Sequence, residues 1–410
     1  MIERTADAVV VGAGPAGAAT AVTLARAGLD VVVVDRARFP RDKTCGDGLT
    51  ASALRHLGDL GVEPADVASW TVVDRVGLRA PDGRVIDLAL PGDGVHAAVA
   101  RRADVDAALV RAARAAGAEV HEASALASVA TGPDGVVVGT DKVSLRAPYL
   151  VAADGAWSPT RKLVAPERSG PGYLGDWHAM RQYLTNAGPD AGSRLWVWFE
   201  PDLLPGYAWS FPLPGRRVNF GFGFPRTPGV RSGEMAATWR ALIGRPHIRA
   251  VLGPDARPEA PVRAWPIPAR ADPAALTAAG GRALFAGDAA RLADPMTGEG
   301  IGQALESGIA AARAVLSAGP ARPGLAATSY ATEITAGIGV DNRLASALSR
   351  VLGRSAGANA AMRLAGLSPW TRANFARWMW EDYPRAVLAT PRRWRRGMLA
   401  PPAAFGVSDR

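Results

Sequence analysis

The sequence predicts an α/β protein: a parallel sheet built around a phosphate-cradling turn, interrupted by an antiparallel sheet and followed by a helical C-terminal region. Three observations carry this expectation. Ala8 to Val11 is a short apolar run followed directly by Gly12-Ala-Gly14-Pro15-Ala16-Gly17. An alanine-rich helical segment to Arg26, a second buried strand from Val31 to Val34 and Asp35 come next, at the spacing of a dinucleotide-binding βαβ unit. Finally, heavily punctuated alternating segments lie in the middle of the chain, and the pattern beyond Pro323 is helical.

Each glycine of the first turn has its own task. Gly12 makes the tight turn, Gly14 lets backbone approach a pyrophosphate, and Gly17 lets helix and strand pack closely. The helix N-terminus then faces the phosphates. Asp35 stands where a carboxylate accepts the hydroxyls of an adenosine ribose.

With 410 residues, 48% apolar and 21% charged, the chain has room for two or three domains with sizeable cores. The net charge of +9 is concentrated: residues 341 to 410 hold twelve arginines against four acids, or +8. This is a local basic surface, and it supplies no nucleic-acid-binding signature. Cys45 is the only cysteine, which excludes an internal disulfide and a cysteine-cluster metal site, and the five histidines lack ligand spacing; no metal is expected. The first strand begins within about six residues, leaving no room for a cleavable leader, and no uncharged apolar run approaches the ~18 residues of a bilayer span. A reducing, cytoplasmic setting fits.

After Asp35 comes a polar loop, Phe39 to Thr50, that holds Cys45 between Lys43 and Gly46-Asp47-Gly48. Thr50 is placed to cap a helix from Ala51 to Leu60. Val72 to Leu90 alternates around Pro81-Asp-Gly83, which predicts a hairpin belonging to a second layer. A helix over Asp104 to Ala116 follows, then strands at Glu119 to Ala123, Val136 to Val138 and Leu150 to Ala152, the last leading into Asp154-Gly155. From Tyr173 to about Trp265 the pattern is again strand-like, punctuated by prolines and glycines as in a curved antiparallel sheet. Ala283 to Ala286 returns to the buried-strand style, and Gly287-Asp288 and Gly298-Glu-Gly300-Ile301 open a helix to about Leu316. The expected organisation is a discontinuous dinucleotide-binding domain (1–70, 101–169 and 276–320), a substrate-side hairpin (71–100), an antiparallel substrate domain (170–275) and a C-terminal helical region (321–410).

The ordered set of Gly12 to Gly17, Arg102 with Asp106, Asp154-Gly155, Gly287-Asp288 and Gly298 to Ile301 resembles the FAD-dependent superfamily of aromatic hydroxylases, flavin halogenases and geranylgeranyl reductases. Two further segments resemble the geranylgeranyl reductases in particular: Lys43-Thr-Cys45-Gly46-Asp47-Gly48-Leu49, and Tyr207-Ala-Trp209-Ser-Phe211-Pro212. A single residue between Pro205 and Tyr207 resembles the actinobacterial menaquinone-reductase branch. The resemblance implies an aromatic-hydroxylase-like fold with a Rossmann-type FAD-binding domain. It also implies a cofactor set of Gly12, Gly14, Pro15, Ala16, Gly17, Asp35, Arg36, Cys45, Gly46, Gly48, Arg102, Ala125, Asp154, Gly287, Asp288, Gly298, Gly300 and Ile301. Asp288 would meet the ribityl and pyrophosphate region, and the helix N-terminus near Gly300 the flavin pyrimidine, where a partial positive charge suits reduced flavin.

The implied activity is saturation of C=C bonds in a polyprenyl substrate, with Cys45, Tyr207 and Trp209 as candidate catalytic residues. Lys43 is a neighbour that would favour a Cys45 thiolate. A pocket for such a chain needs aromatic walls, and Trp198, Tyr207, Trp209, Phe211 and Phe222 are the candidates; the same residues would equally serve as a sheet's own core, and Cys45 as an inert buried thiol. The alternative on the same fold is a monooxygenase or halogenase. Tyr207-x-Trp209-x-Phe211-Pro212 resembles the halogenase Trp-x-Trp-x-Ile-Pro segment, yet no lysine lies between Lys43 and Lys142. A flavin carrier without turnover is a third reading. No second dinucleotide fingerprint is present, so the electron donor is NAD(P)H bound transiently or a reduced protein carrier. The basic, tryptophan-containing C-terminal stretch, with Arg343, Arg350 and Arg354 on one helix side and Trp370, Trp378, Trp380 and Trp394 accompanying Arg392-Arg393 and Arg395-Arg396, is a candidate docking surface for the inner face of an anionic membrane. Oligomeric state has no sequence signal.

Overall fold

A computed structural model describes residues 2–168, 173, 175–226 and 232–406. Its central sheet has six strands in the order Thr277–Ala278, Ala283–Phe285, Tyr149–Ala152, Ala8–Val11, Val31–Val34 and Glu119–His121, all parallel except the first. Three separate stretches of chain therefore meet in one sheet. Ala8–Val11 and Val31–Val34 are buried at every position because both faces are covered. Ala8, Val10, Val31 and Val33 pack under the helices Pro15–Arg26, Arg102–Ala115 and Ile301–Ala318. Val9, Val11, Val32 and Val34 face a four-stranded sheet formed by Ile2–Thr5, Val143–Ala147, Gly135–Thr140 and Leu126–Gly132.

The second large sheet is mostly antiparallel. It runs Arg257–Pro258, Trp177–Thr185, Arg217–Pro225, Tyr207–Leu213, Leu195–Trp198, Arg75–Arg79, Val85–Ala89, with Arg263–Ile267 also on Trp177–Thr185. The hairpin expected around Gly83 is the last pair, joined to the sheet by parallel pairing of Arg75–Arg79 with Leu195–Trp198.

One expectation fails here. The stretch read as strand-like contains three helices, the short Pro189–Ser193 and then Ser232–Gly244 and Pro246–Leu252. Trp239 and Leu242 of the first of these last two, and Ile248, Val251 and Leu252 of the second, seal them onto the outer face of the sheet, at spacings within each helix of three, and of three and four, that a helix satisfies. Residues 227–231 of that stretch lie outside the described part.

The C-terminal region forms the helices Pro323–Ala336, Ile338–Leu352, Ser355–Ala365 and Pro369–Met379. Beyond Met379 the helical expectation fails: among the described residues the chain makes only short 3-10 turns, at Val387–Ala389 and Pro391–Arg393. This tail is fastened by buried charges. Arg385 donates to Asp294 at 2.5 Å and to Glu381 at 3.2 Å, and Thr50 and Gln303 each donate to Glu381 at 3.1 Å.

Candidate active site

A cavity of about 820 Å³ lies between the two large sheets. Every residue of the expected cofactor set lines it except Gly17. Gly17 acts from behind: a Cβ there would stand 1.8 Å from the Gly12 carbonyl oxygen. Gly12 has φ +100°, and a Cβ on it would meet the Ala153 oxygen at 2.4 Å. A Cβ on Gly14 would meet nothing nearer than the Arg41 guanidinium at 3.6 Å, so the turn is open toward the cavity and flanked by a cation. That is the space and charge an anionic pyrophosphate requires. Asp35 accepts the amides of Ala13 at 2.7 Å and Ala37 at 2.8 Å, holding the turn's shape while its carboxylate lines the cavity.

Farther along, Arg102 is buried and pairs through Nε and Nη2 with both oxygens of Asp106 at 2.8 Å, and Arg41 approaches the same carboxylate at 3.1 Å. Arg102 is thus held inside the site and is not a solvated arginine at the start of its helix. Asp154 accepts from Ser158 Oγ at 2.5 Å and the Thr160 amide at 2.8 Å, and burial pushes its carboxyl up. Asp288 lies half-buried on the cavity wall, and a Cβ on Gly300 would stand 3.6 Å from its Oδ1.

The start of the Ile301–Ala318 helix differs from the bare N-terminus expected. Glu299 Oε1 accepts the amides of Ile301 at 2.9 Å and Gly302 at 3.1 Å. Burial, then the nearby Glu381, pushes the Glu299 carboxyl up to about 8. An acid immediately before a helix is an ordinary capping signal, so this residue was within reach of sequence reasoning.

Cys45 is half-buried at the cavity, and burial pushes its thiol up. Burial outweighs the thiolate-favouring effect expected of Lys43, whose Nζ sits 4.2 Å above the Trp265 ring, where burial lowers its own pKa to about 8. What holds the cysteine loop is a network the sequence did not announce. Asn219 Nδ2 donates to the Cys45 carbonyl and to Asp47 Oδ2, each at 2.8 Å, and its Oδ1 accepts Trp209 Nε1 at 3.1 Å. Tyr183 donates to the same Asp47 oxygen at 2.7 Å. Asp47 takes a left-handed φ of +68°, and burial pushes its carboxyl up to about 6. Gly46 and Gly48 let the loop lie against the aromatic strand: a Cβ on Gly48 would be 3.0 Å from Phe211.

Tyr207, Trp209 and Phe211 alternate along one strand and so share the cavity face, with ring centroids 5.8 and 6.0 Å apart and Phe199 6.2 Å from Tyr207. The Tyr207 hydroxyl donates to the Thr297 carbonyl, and burial raises its pKa, so the phenol stays protonated. Trp198 and Phe222, expected beside them, are on the opposite face. They are buried with Trp196, Phe220 and Trp239 under the helices Ser232–Gly244 and Pro246–Leu252. The apolar wing of the cavity comes instead from C-terminal helices, through Leu348, Leu352, Met362, Phe375, Trp378 and Met379.

Comparison with known proteins agrees with this geometry. A family model described as an FAD binding domain matches residues 5–330. The chain is 35% identical over 336 residues to a menaquinone reductase of Mycolicibacterium smegmatis, covering 77% of each protein. It is 32% identical over 311 residues to digeranylgeranylglycerophospholipid reductase 2 of Methanopyrus kandleri, 74% of each. Among solved structures, a geranylgeranyl bacteriochlorophyll reductase-like protein of Thermoplasma acidophilum superimposes with a TM-score of 0.75 at 20% identity, over 94% of this chain and 98% of that one.

Proposed function

Since the chain belongs to the geranylgeranyl-reductase family of FAD-dependent oxidoreductases, we propose that it saturates C=C bonds of a polyprenyl substrate, a prenyl quinone or a geranylgeranyl lipid. The observation that carries this reading is the continuity of one cavity from the Gly12–Gly14 turn, past the Cys45 loop and the Tyr207–Phe211 wall, into the apolar wing. Gly12, Gly14 and Asp35 would hold the adenosine diphosphate end of FAD, and Asp288 with Arg102 the middle. Once reduced by NAD(P)H or a protein carrier, bound flavin supplies a hydride.

The remaining work falls to the chain. An unactivated alkene is a poor acceptor, so the site must orient it and exclude water, and the Trp209 and Phe211 faces tolerate cationic character on carbon. The neutral Cys45 thiol is a protonated group on that wall that could deliver the balancing proton, whereas the Tyr207 O–H is already donated to the Thr297 carbonyl.

Delivery of a membrane lipid is part of the proposal. Among the described residues no helix is long and apolar enough to cross a membrane. The helices that line the apolar wing and the turn between the last two of them also present Val351, Leu367 and Trp370 outward, at 58%, 70% and 73% exposure. Exposed Arg343, Arg350, Arg354 and Arg372 accompany them, as suits reversible docking on the anionic inner membrane face. Two parts of the expected surface are withdrawn from it: Trp378 lines the cavity and Trp380 is buried, while Arg393 pairs with Asp341 at 2.8 and 3.1 Å.

The deciding experiment mixes anaerobically reduced protein with menaquinone or a geranylgeranyl lipid. Flavin reoxidation with a gain of two mass units per bond is the expected result. A gain of one oxygen in air would point to the hydroxylase reading instead.

A further inference from the structure

Glu299 is a cavity residue whose carboxylate oxygen bonds the amides of Ile301 and Gly302, the first two of an 18-residue helix. If FAD binds as proposed above, this helix start is where the flavin pyrimidine edge, which carries acceptor atoms, would lie. One pair of N–H groups cannot serve two acceptors at full strength. We infer that Glu299 and the flavin compete for these two amides, so that the carboxylate is a built-in occupant of the cofactor's acceptor site.

The surroundings decide what happens to the displaced side chain. The titratable groups that act on it, or that it acts on, are Glu381, Asp294, Tyr207 and Cys45. Two are acids, and Arg385, the cation beside them among the described residues, already bonds both of them. A carboxylate leaving the amides therefore finds no free counter-charge and takes up one proton from solvent. In the flavin-free protein the amides oppose that proton, and Glu299 ionises only as pH rises through about 8. Cofactor binding thus costs a proton above that pH and none below it.

The test is the FAD dissociation constant of deflavinated full-length protein, measured by flavin fluorescence quenching between pH 6.5 and 9.5 for the parent, Glu299→Gln and Glu299→Ala. The parent should bind with constant affinity up to about pH 8 and then weaken by up to about tenfold per pH unit. Both variants should lose this dependence and bind several-fold more tightly than the parent at pH 9. A merely structural glutamate predicts the opposite, weaker binding in both variants, and that result, or an unchanged pH profile in Glu299→Gln with a native circular dichroism spectrum, overturns the inference. Absence of FAD binding by the parent would overturn the cofactor reading itself, and this inference with it.

Discussion

The side-chain amide of Asn219 donates to the backbone carbonyl of Cys45 at 2.8 Å, across 174 residues of chain. Through its other bonds to Asp47 and Trp209 it joins the cysteine loop to the aromatic wall. Asn219→Ala leaves the Asp47 carboxyl and the Trp209 indole short of a partner, at a cost of about 1–3 kcal/mol. It should lower the melting temperature and slow alkene reduction more than flavin reduction. Cys45→Ser keeps the network and should show the kinetic effect without the stability loss. Stopped-flow measurement of both half-reactions separates the two; equal slowing of both in Cys45→Ser would leave the thiol a structural group.

Asp47 makes a pH signature. Its folded pKa is raised, chiefly by burial, from 3.8 to about 6, so the native state holds its proton more tightly than the unfolded chain. Its contribution to stability is full below pH ~4 and is lost as pH rises through about 6, a change of roughly 3 kcal/mol. Denaturant melts of Asp47→Asn should lack this component. A parent and variant with parallel stability curves between pH 4 and 7 would refute it.

Asp288→Ala removes a half-buried carboxylate on the cavity wall. The expected product is a folded protein with a several-fold lower ratio of flavin to protein absorbance. Full flavin occupancy in the purified variant would take Asp288 out of the cofactor site.

For docking, the paired Arg393 is the wrong residue to change. Replacing Leu367 and Trp370 with serine, or Arg392, Arg395 and Arg396 with glutamine, should reduce flotation with anionic vesicles at low salt, at about 1 kcal/mol for each basic residue. Turnover of a short, detergent-dispersed prenyl substrate should be unchanged. Equal flotation of parent and variants on neutral and anionic vesicles would mean that the lipid arrives another way.

Local signals in the sequence carried the cofactor end of the site. Gly12 to Gly17 and Asp35 act within one βαβ unit, so spacing alone places them. The aromatic strand was half readable: a period of two separates Tyr207, Trp209 and Phe211 from their neighbours, yet it does not say which side of a sheet meets a cavity. Trp198 and Phe222 went to the other side because the Trp239 helix needed a surface to cover. Asn219 and Arg385 act over long sequence separations, with no local pattern to mark them. Met362 and Phe375 belong to ordinary amphipathic helices, whose apolar stripe reads as core until the space beside it is known.

The central sheet orders its strands so that Ala8–Val11 lies next to Tyr149–Ala152, which in turn lies next to Ala283–Phe285. The first wall of the cradle is thus translated nearly three hundred residues before the helix that completes it. At ribosomal speeds of about 5–20 residues per second, the nascent chain spends roughly 15 to 60 s with a glycine turn and no opposing wall. The cradle is therefore complete only after Ile301–Ala318 has been made, so a cofactor can be held from both sides only in the last quarter of synthesis or after it.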